Sequence, residues 1–202
     1  MKKQIALPLA FVALIIVVIA AITFMLIYNG MVMARENIKE SKAQIETVYQ
    51  RKLDLIPNLV ETVKAYAGHE RQTLVDVAQA RSRAQEVLKT VGTAKSLSKE
   101  QLAKLASSQS ELTRVLTTLF ALVEKYPDLK ASAHFLALQD QLEGAENRIY
   151  VARQRYNSSV RDYNTKIAVF PGNMIALIFE FERVDDYFEA TEIAQKPMEV
   201  RF

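Results

Sequence analysis

The chain has 202 residues, with 26 Lys or Arg against 23 Asp or Glu, five Gly, five Pro and no Cys. This length suits one domain with an appendage, and the lack of cysteine excludes disulfides, thiolate metal sites and thiol nucleophiles. Half of the residues are apolar, which together with the few Gly and Pro predicts a folded, helical protein. Lys2 and Lys3 supply two of the three net positive charges, so a basic nucleic-acid-binding face is not expected.

Residues 5–28 contain no charged side chain. As a helix this stretch would be ~36 Å long, enough to cross a hydrocarbon core of ~30 Å. A cleaved signal peptide is the competing interpretation, with residues 18–20 as the cleavage site. Because the apolar run continues past that point without a turn, the sequence favours a retained membrane helix after a short tail, residues 1–4.

The basic residues on the two flanks of this segment nearly balance. Lys2 and Lys3 precede it, and Arg35, Lys39 and Lys42 follow it. We expect the tail to lie in the cytoplasm and the domain to lie on the other side of the membrane.

Beyond residue 29, apolar side chains recur at steps of three and four, which predicts helices. The first tract covers residues 33–89 and contains two weak points, Pro57 and Gly68, at either of which it can kink or break. The sequence does not decide between them.

Three more helices are predicted. Ser98 and Gln101 match a capping box, so the second helix should begin at Lys99 and end before Pro127. The third covers residues 132–169, and the short fourth covers residues 173–189.

The predicted fold is therefore all-α. A transmembrane helix precedes an elongated antiparallel bundle of three long helices and one short helix, residues 29–190. Residues 191–202 are expected to form an extended tail.

The usual catalytic patterns are missing. A di-iron bundle needs Glu-x-x-His motifs, but Tyr66 and Ala131 stand three residues before the two histidines, His69 and His134. There is no Gly-x-Ser-x-Gly and no phosphate-binding glycine loop. We therefore expect no enzyme, no metal and no cofactor, and we interpret His69 with Glu70 as a polar contact at a helix irregularity rather than a proton-transfer pair.

Several polar residues lie close to the apolar stripes and need partners if they are buried. They form either a network that fixes helix register, which we favour, or a ligand pocket. These residues are Asp54, Asn58, Arg81, Glu146, Arg148, Asn157 and Asn164.

Two long segments, residues 51–81 and 124–171, resemble the signatures of the LemA family, as do Tyr28-Asn29 and the closing sequence PMEVRF. The resemblance covers nearly the whole chain. It implies a bacterial protein of the cytoplasmic membrane with one N-terminal membrane helix and long antiparallel helices, and it implies no established reaction.

The resemblance allows the motif residues of the family to be placed on this sequence by position. It implies that some are binding or structural polar residues and that others are turn or core residues. Ser158 and Ser159 depart from the usual acidic or small residues. The transferred positions are Asp54, Pro57, Asn58, His69, Glu70, Tyr126, Pro127, Asp128, Lys130, Phe135, Glu146, Arg148, Arg155, Tyr156, Asn157, Tyr163, Asn164 and Pro171.

Two functions are considered. The favoured one is a membrane-anchored helical scaffold that self-associates and organises membrane or partner proteins, because surplus apolar positions and opposite charge patches suit a repeated interface. The alternative is a sensor or adaptor that binds a small ligand or peptide around Asp54, Asn58, Glu146 and Arg148. The candidate self-association charges are Arg153, Arg155, Arg161, Asp185, Asp186 and Glu189.

A weaker possibility concerns residues 173–181, which are apolar enough to dip into a bilayer surface but too few to span it. Packing within the bundle is the favoured expectation for this segment.

Overall fold

The computed structural model describes residues 2–94 and 97–189, with side chains from residue 11 onwards. Within these ranges the chain forms helices and no strand, so the all-α prediction is confirmed. The predicted C-terminal tail lies outside the described residues. The helices are α1 Lys2–Ala67, α2 Arg71–Thr93, α3 Lys99–Val123, α4 Pro127–Lys130, α5 Ala133–Ala168 and α6 Gly172–Ile178.

The first predicted tract breaks at Gly68 and continues without a break through Pro57. The amide of Glu70 donates to the carbonyl of Ala67 at 3.1 Å, and the carbonyl of Glu70 accepts from Leu74 at the start of α2. A proline removes only one hydrogen bond from a helix that packing holds on both sides. The tract therefore becomes two helices, so residues 2–94 and 97–189 contain four long helices, with the membrane segment forming the first part of α1.

The chain divides into two units. The anchor unit contains Met1–Ile38 and Ser158–Asp185, and the bundle unit contains Lys39–Asn157 and Asp186–Phe202. Both α1 and α5 contribute to each unit.

In the bundle unit, hydrogen bonds fix the register between α1 and α2. Arg81 Nε donates to the carbonyl of Leu53 at 2.9 Å, and Lys42 Nζ donates to the carbonyl of Gly92 at 3.4 Å. The partner on α2 moves towards the C-terminus as the residue on α1 moves towards the N-terminus, so the two helices are antiparallel.

The predicted apolar stripes form the core of this unit. The capping box at Ser98 and Gln101 is present and starts α3 at Lys99, as expected. Buried stripe positions include Ile45, Leu53, Ile56, Leu59, Val63, Val77, Leu88, Leu105, Leu112, Leu119, Phe135, Leu142 and Ile149.

The anchor unit has a core of its own. It joins the part of α1 that follows the apolar segment to the end of α5, to α6 and to the chain after α6. Its buried members are Met31, Ala34, Tyr163, Ile167, Ile175, Ala176 and Phe181.

The fourth predicted helix is much shorter than expected, because α6 ends at Ile178 and not at Glu189. Glu180 has a φ of 54°, a left-handed conformation that cannot continue an α-helix. The amide of Phe181 donates to the carbonyl of Ala176 at 2.9 Å and closes the helix end. The acidic residues placed on a fourth helix therefore belong to a non-helical segment.

The N-terminal part of α1 has a mean hydropathy of 3.0, and its side chains from residue 11 to residue 26 are exposed. Among the described residues it is the one helix long and apolar enough to cross a membrane. Helix α1 runs unbroken from this segment into the bundle unit, as a retained anchor requires.

Two glycines make a matched pair for a stability test. A Cβ on Gly172 would overlap the carbonyl oxygen of Lys166 and lie 2.8 Å from Met31 Cε, whereas a Cβ on Gly144 would meet nothing within 4 Å. We expect Gly172→Ala to lower the free energy of unfolding by about 2 kcal/mol through overpacking. Gly144→Ala, inside α5, should raise it by roughly 0.5–1 kcal/mol. Thermal unfolding of the full-length protein in detergent measures both, and equal effects would contradict the packing at Gly172.

Candidate functional site

A polar cluster lies inside the bundle unit and joins three helices. Lys52 of α1 is 1% exposed and forms an ion pair with Glu146 of α5. Glu146 also accepts from Gln109 Nε2 at 2.8 Å and from Thr113 Oγ1 at 3.2 Å, both on α3. Lys52 Nζ lies 3.4 Å from Thr113 Oγ1. We call Tyr49, Lys52, Gln109, Thr113, Glu146 and Arg153 the central polar cluster.

Lys52 was missed by the sequence interpretation, although Glu146 was named. The signal was present in the spacing, because residue 52 lies within the stripe that includes Tyr49, Leu53 and Ile56. A lysine at such a position often extends its ammonium group to solvent. Here the carboxylate of Glu146 meets the ammonium group inside the bundle instead.

The second part of the cluster is built around Arg153 of α5. Its guanidinium group donates to the hydroxyl of Tyr49, through Nε at 3.0 Å and also through a second nitrogen. The same group lies 5.2 Å from the centre of the Phe188 ring, a cation–π contact. Tyr49 and Lys52 are one turn apart on α1, and their partners run in the opposite order along α5, so these two helices are antiparallel.

Burial and charge act against each other in this cluster. Burial lowers the pKa of Lys52 below its ordinary value, and the carboxylate of Glu146 opposes that shift. Burial raises the pKa of Tyr49, while Arg153 opposes the increase. The phenol of Tyr49 therefore stays protonated at neutral pH.

Tyr156 lies one turn further along α5 and is 1% exposed. Its ring packs edge-on against Phe188 at 5.6 Å. Its hydroxyl has no hydrogen-bond partner among the described residues. Burial, with the neighbouring charge of Asp186, raises its pKa to about 12.

Two asparagines of α5 bind the backbone of the segment after α6. In the bundle unit, Asn157 donates to the carbonyl of Phe188 and accepts from its amide, both at 2.9 Å. In the anchor unit, Asn164 makes the same pair of bonds with Val184, at 2.6 and 3.0 Å. Tyr163 donates to the carbonyl of Glu182 at 2.8 Å. These motif residues therefore hold a non-helical segment in place by giving its backbone partners.

The motif residues at the α1–α2 and α3–α4 junctions also have structural partners. The hydroxyl of Tyr126 donates to Glu70 at 3.2 Å, and burial followed by this bond raises the pKa of Tyr126. Pro127 occupies the first turn of α4 with Asp128, an arrangement that suits a helix start. His69 is exposed, and the described hydrogen bond of the Glu70 side chain is made with Tyr126.

The groove expected around Asp54, Asn58, Glu146 and Arg148 is not formed. Asp54 and Asn58 are exposed on α1, and Asp54 lines a cavity of about 670 Å³ on the α2 side. Arg148 lines a separate cavity of about 250 Å³ on the α1–α5 surface. Helical spacing predicted nearness to a stripe but not the side of the bundle on which each residue lies.

The candidate self-association charges fall into two classes. Arg153 is half-buried and contacts Tyr49 and Phe188 within the bundle unit. Arg155 and Arg161 are exposed on α5. Asp185 pairs with Arg183 at 2.5 Å, Glu189 lies 3.6 Å from Lys99, and Asp186 is half-buried.

Within the described ranges no group of three His, Cys, Asp or Glu side chains is placed to hold a metal ion. The contacts of the central polar cluster join α1, α3 and α5 at one level of the bundle unit, as a network that fixes helix register would.

Comparison with known proteins identifies the family. The model of the LemA family matches residues 41–202. The chain belongs to the LemA family. Magnetosome protein MamQ of Magnetospirillum gryphiswaldense is 25% identical over 181 residues, which cover 83% of this chain and 66% of that protein, slightly less than two thirds of its length.

Two further relatives agree with this assignment. Magnetosome protein MamQ 1 of Paramagnetospirillum magneticum is 26% identical over 192 residues, covering 87% of this chain and 70% of that protein. Protein LemA of Metamycoplasma hominis is 25% identical over 165 residues, covering 82% and 70%. The chain is thus a membrane-anchored helical protein of the LemA family, and none of these names describes an enzyme.

The two members of the buried ion pair should differ in their effect on the stability of this LemA-family chain. Glu146→Gln leaves the ammonium group of Lys52 buried without a carboxylate and should cost about 3 kcal/mol. Lys52→Met leaves Glu146, whose side chain is 39% exposed, with its bonds to α3, and should cost about 1 kcal/mol or less. Urea unfolding at pH 7 measures both free energies. Equal costs, or a double variant less stable than Glu146→Gln, would contradict the proposed role of the pair.

Tyr156→Phe should stabilise the protein. The variant removes a buried hydroxyl that has no partner in the described part of the chain, and it should raise the free energy of unfolding at pH 7 by about 1 kcal/mol. Because the folded pKa is about 12 and the ordinary value is 10.0, the unfolded chain loses this proton first as the pH rises. Wild-type stability therefore falls between pH 10 and 12, and the advantage of the variant should grow over that range. Tyr163→Phe, which loses a hydrogen bond, is the control and should destabilise. A destabilised Tyr156→Phe would show that the hydroxyl has a partner.

Proposed function

We propose that this protein is a non-catalytic, membrane-anchored scaffold that self-associates through its bundle unit and organises membrane or partner proteins. The observation that carries the proposal is the continuity of α1, one helix of 66 residues that contains the membrane segment and also supplies Lys52 to the central polar cluster. The helix that carries the membrane segment therefore also contributes to the bundle unit.

The central polar cluster supports a structural role. Its carboxylate, ammonium, amide and guanidinium groups all bond to one another or to neighbouring helices. Groups that are paired in this way rigidify a bundle. The relatives are named as components of magnetosomes and not by a reaction, which also suits a structural protein.

The α1–α5 surface of the bundle unit is the interface that we propose. Arg148 and Arg155 lie two turns apart on α5, with the exposed Val151 between them, and all three line the same cavity as Gln44 and Val48. Arg155 has no ion pair among the described residues. An apolar position flanked by two cations suits an acidic partner surface, and the segment that carries Asp185 and Asp186 would provide one on a second copy.

The location that we propose is the bacterial cytoplasmic membrane, with the domain on its outer side. This assignment keeps the short tail with Lys2 and Lys3 in the cytoplasm, although Arg35, Lys39 and Lys42 on the other flank nearly balance these charges. Because the chain has no cysteine, a single introduced cysteine and a membrane-impermeant thiol reagent would report the side directly.

Charge reversal tests the proposed interface. Full-length protein in detergent should be oligomeric at micromolar concentration, and Arg155→Glu should raise its dissociation constant about fivefold because an exposed ion pair contributes roughly 1 kcal/mol. Combining Arg155→Glu with Asp185→Arg and Asp186→Arg should restore part of the affinity. Light scattering across a dilution series measures the mass.

Arg114→Glu is the matched control, because Arg114 is also exposed but lies on α3. It should leave the dissociation constant unchanged. A wild-type protein that stays monomeric at micromolar concentration would exclude self-association, and equal weakening by Arg114→Glu would exclude this surface.

A further inference from the structure

Helix α6 is apolar on both of its faces. Gly172, Ile175 and Ala176 are buried in the core of the anchor unit. Met174, Leu177 and Ile178 point outwards, and Leu177 is 83% exposed. A surface helix normally carries polar side chains on its outer face, so a second apolar face needs a nonpolar environment. We call Met174, Leu177, Ile178 and Phe179 the apolar tip.

Contacts within the anchor unit place the apolar tip beside the membrane segment of α1. The ring of Phe179 lies 4.9 Å from that of Tyr28 and 5.8 Å from that of Phe24. At the other end of α6, Gly172 lies against Met31. Seven residues of helix advance about 10 Å, the same rise that separates residues 24 and 31 on α1. Helix α6 therefore runs back along α1 towards the membrane.

Two backbone amides at the end of α6 have partners within the helix. The amide of Phe179 donates to Ile175 at 3.0 Å, and that of Phe181 donates to Ala176 at 2.9 Å, so both donors are paired internally. Backbone groups must be satisfied in this way wherever lipid replaces water. Glu180 then reverses the chain with its positive φ, which limits the depth that the segment can reach.

We propose that the apolar tip inserts into the bilayer that α1 crosses and is covered there by acyl chains. The occupant follows from continuity: Phe24 lies within the segment that lipid must surround, so side chains that pack beside Phe24 share its environment. Tyr28, at the end of the segment, has the interfacial position that aromatic side chains prefer. The protein thus contacts the membrane at two sequence-distant places, α1 and α6.

The charges near the tip indicate which property of the lipid matters. Glu180 and Glu182 are both exposed and acidic. The guanidinium group of Arg35 lies 5.2 Å from the centre of the Phe181 ring, so charges of both signs lie near the tip. With no excess of cations there, we expect nonpolar contact to drive insertion without a requirement for anionic lipid.

Single-cysteine labelling tests the insertion, since the natural chain has no cysteine. Leu177→Cys is labelled with the polarity-sensitive fluorophore NBD in the full-length protein, in nanodiscs of zwitterionic lipid that hold one copy each. Ile16→Cys is the control inside the membrane segment. Val75→Cys, on the exposed surface of α2, is the control in water.

We expect the probe at Leu177 to resemble the one at Ile16. Its emission should be blue-shifted, lipids that carry a nitroxide quencher on the acyl chain should quench it, and quenching by aqueous iodide should be several-fold weaker than at Val75. Adding anionic lipid should not change these values. The proposal is overturned if the Leu177 probe behaves like the Val75 probe, or if insertion needs anionic lipid. It is also overturned if protection appears only in nanodiscs with two copies, since a second copy would then cover the tip.

Discussion

A charged lysine inside a helical bundle is the constraint on which the rest of the bundle unit depends. Lys52 is almost completely buried, and an ammonium group taken out of water is costly unless a carboxylate meets it. Glu146 of α5 must therefore lie opposite Lys52 of α1. Because Glu146 also accepts hydrogen bonds from α3, the ion pair links the positions of all three helices. Apolar stripes alone allow a helix to slide by a turn at small cost. The ion pair does not, because a shift by one turn would leave the buried ammonium group of Lys52 without its carboxylate.

The long helix α5 has a second task besides closing the bundle. Its side chains supply hydrogen bonds to a segment that has no secondary structure of its own, through Asn157 in the bundle unit and through Tyr163 and Asn164 in the anchor unit. An asparagine side chain carries an NH2 group that donates and an oxygen that accepts, so it can pair with the carbonyl and amide of a single residue as a neighbouring strand would. This pairing keeps the backbone after α6 satisfied and lets α6 end where it does.

The sequence predicted the periodic parts of the fold well. Stripes at steps of three and four gave the helices, and the capping box gave the start of α3. The break at Gly68 rather than Pro57 was not predictable, because the choice depends on packing around each residue. Three further features were missed for the same reason: the burial of Lys52, the end of α6, and the separation of Asp54 from Glu146. In each case the deciding partner lies far away in sequence, and helical periodicity reports only which face of its own helix a residue occupies.

Residues 173–179 show how a local pattern can be ambiguous until tertiary contacts are known. Their composition suits a core helix and a membrane-facing helix equally, and packing in the bundle was the favoured expectation. The structure gives one face of α6 a protein core and leaves the other exposed beside Phe24 and Tyr28. A soluble domain would expose this second face to water and would risk aggregation through it. A chain whose first helix crosses a bilayer has a nonpolar solvent at the same level, so the second face needs no protein partner. In the proposed arrangement, the bilayer completes the environment of the anchor unit by covering the face of α6 that the protein core leaves exposed.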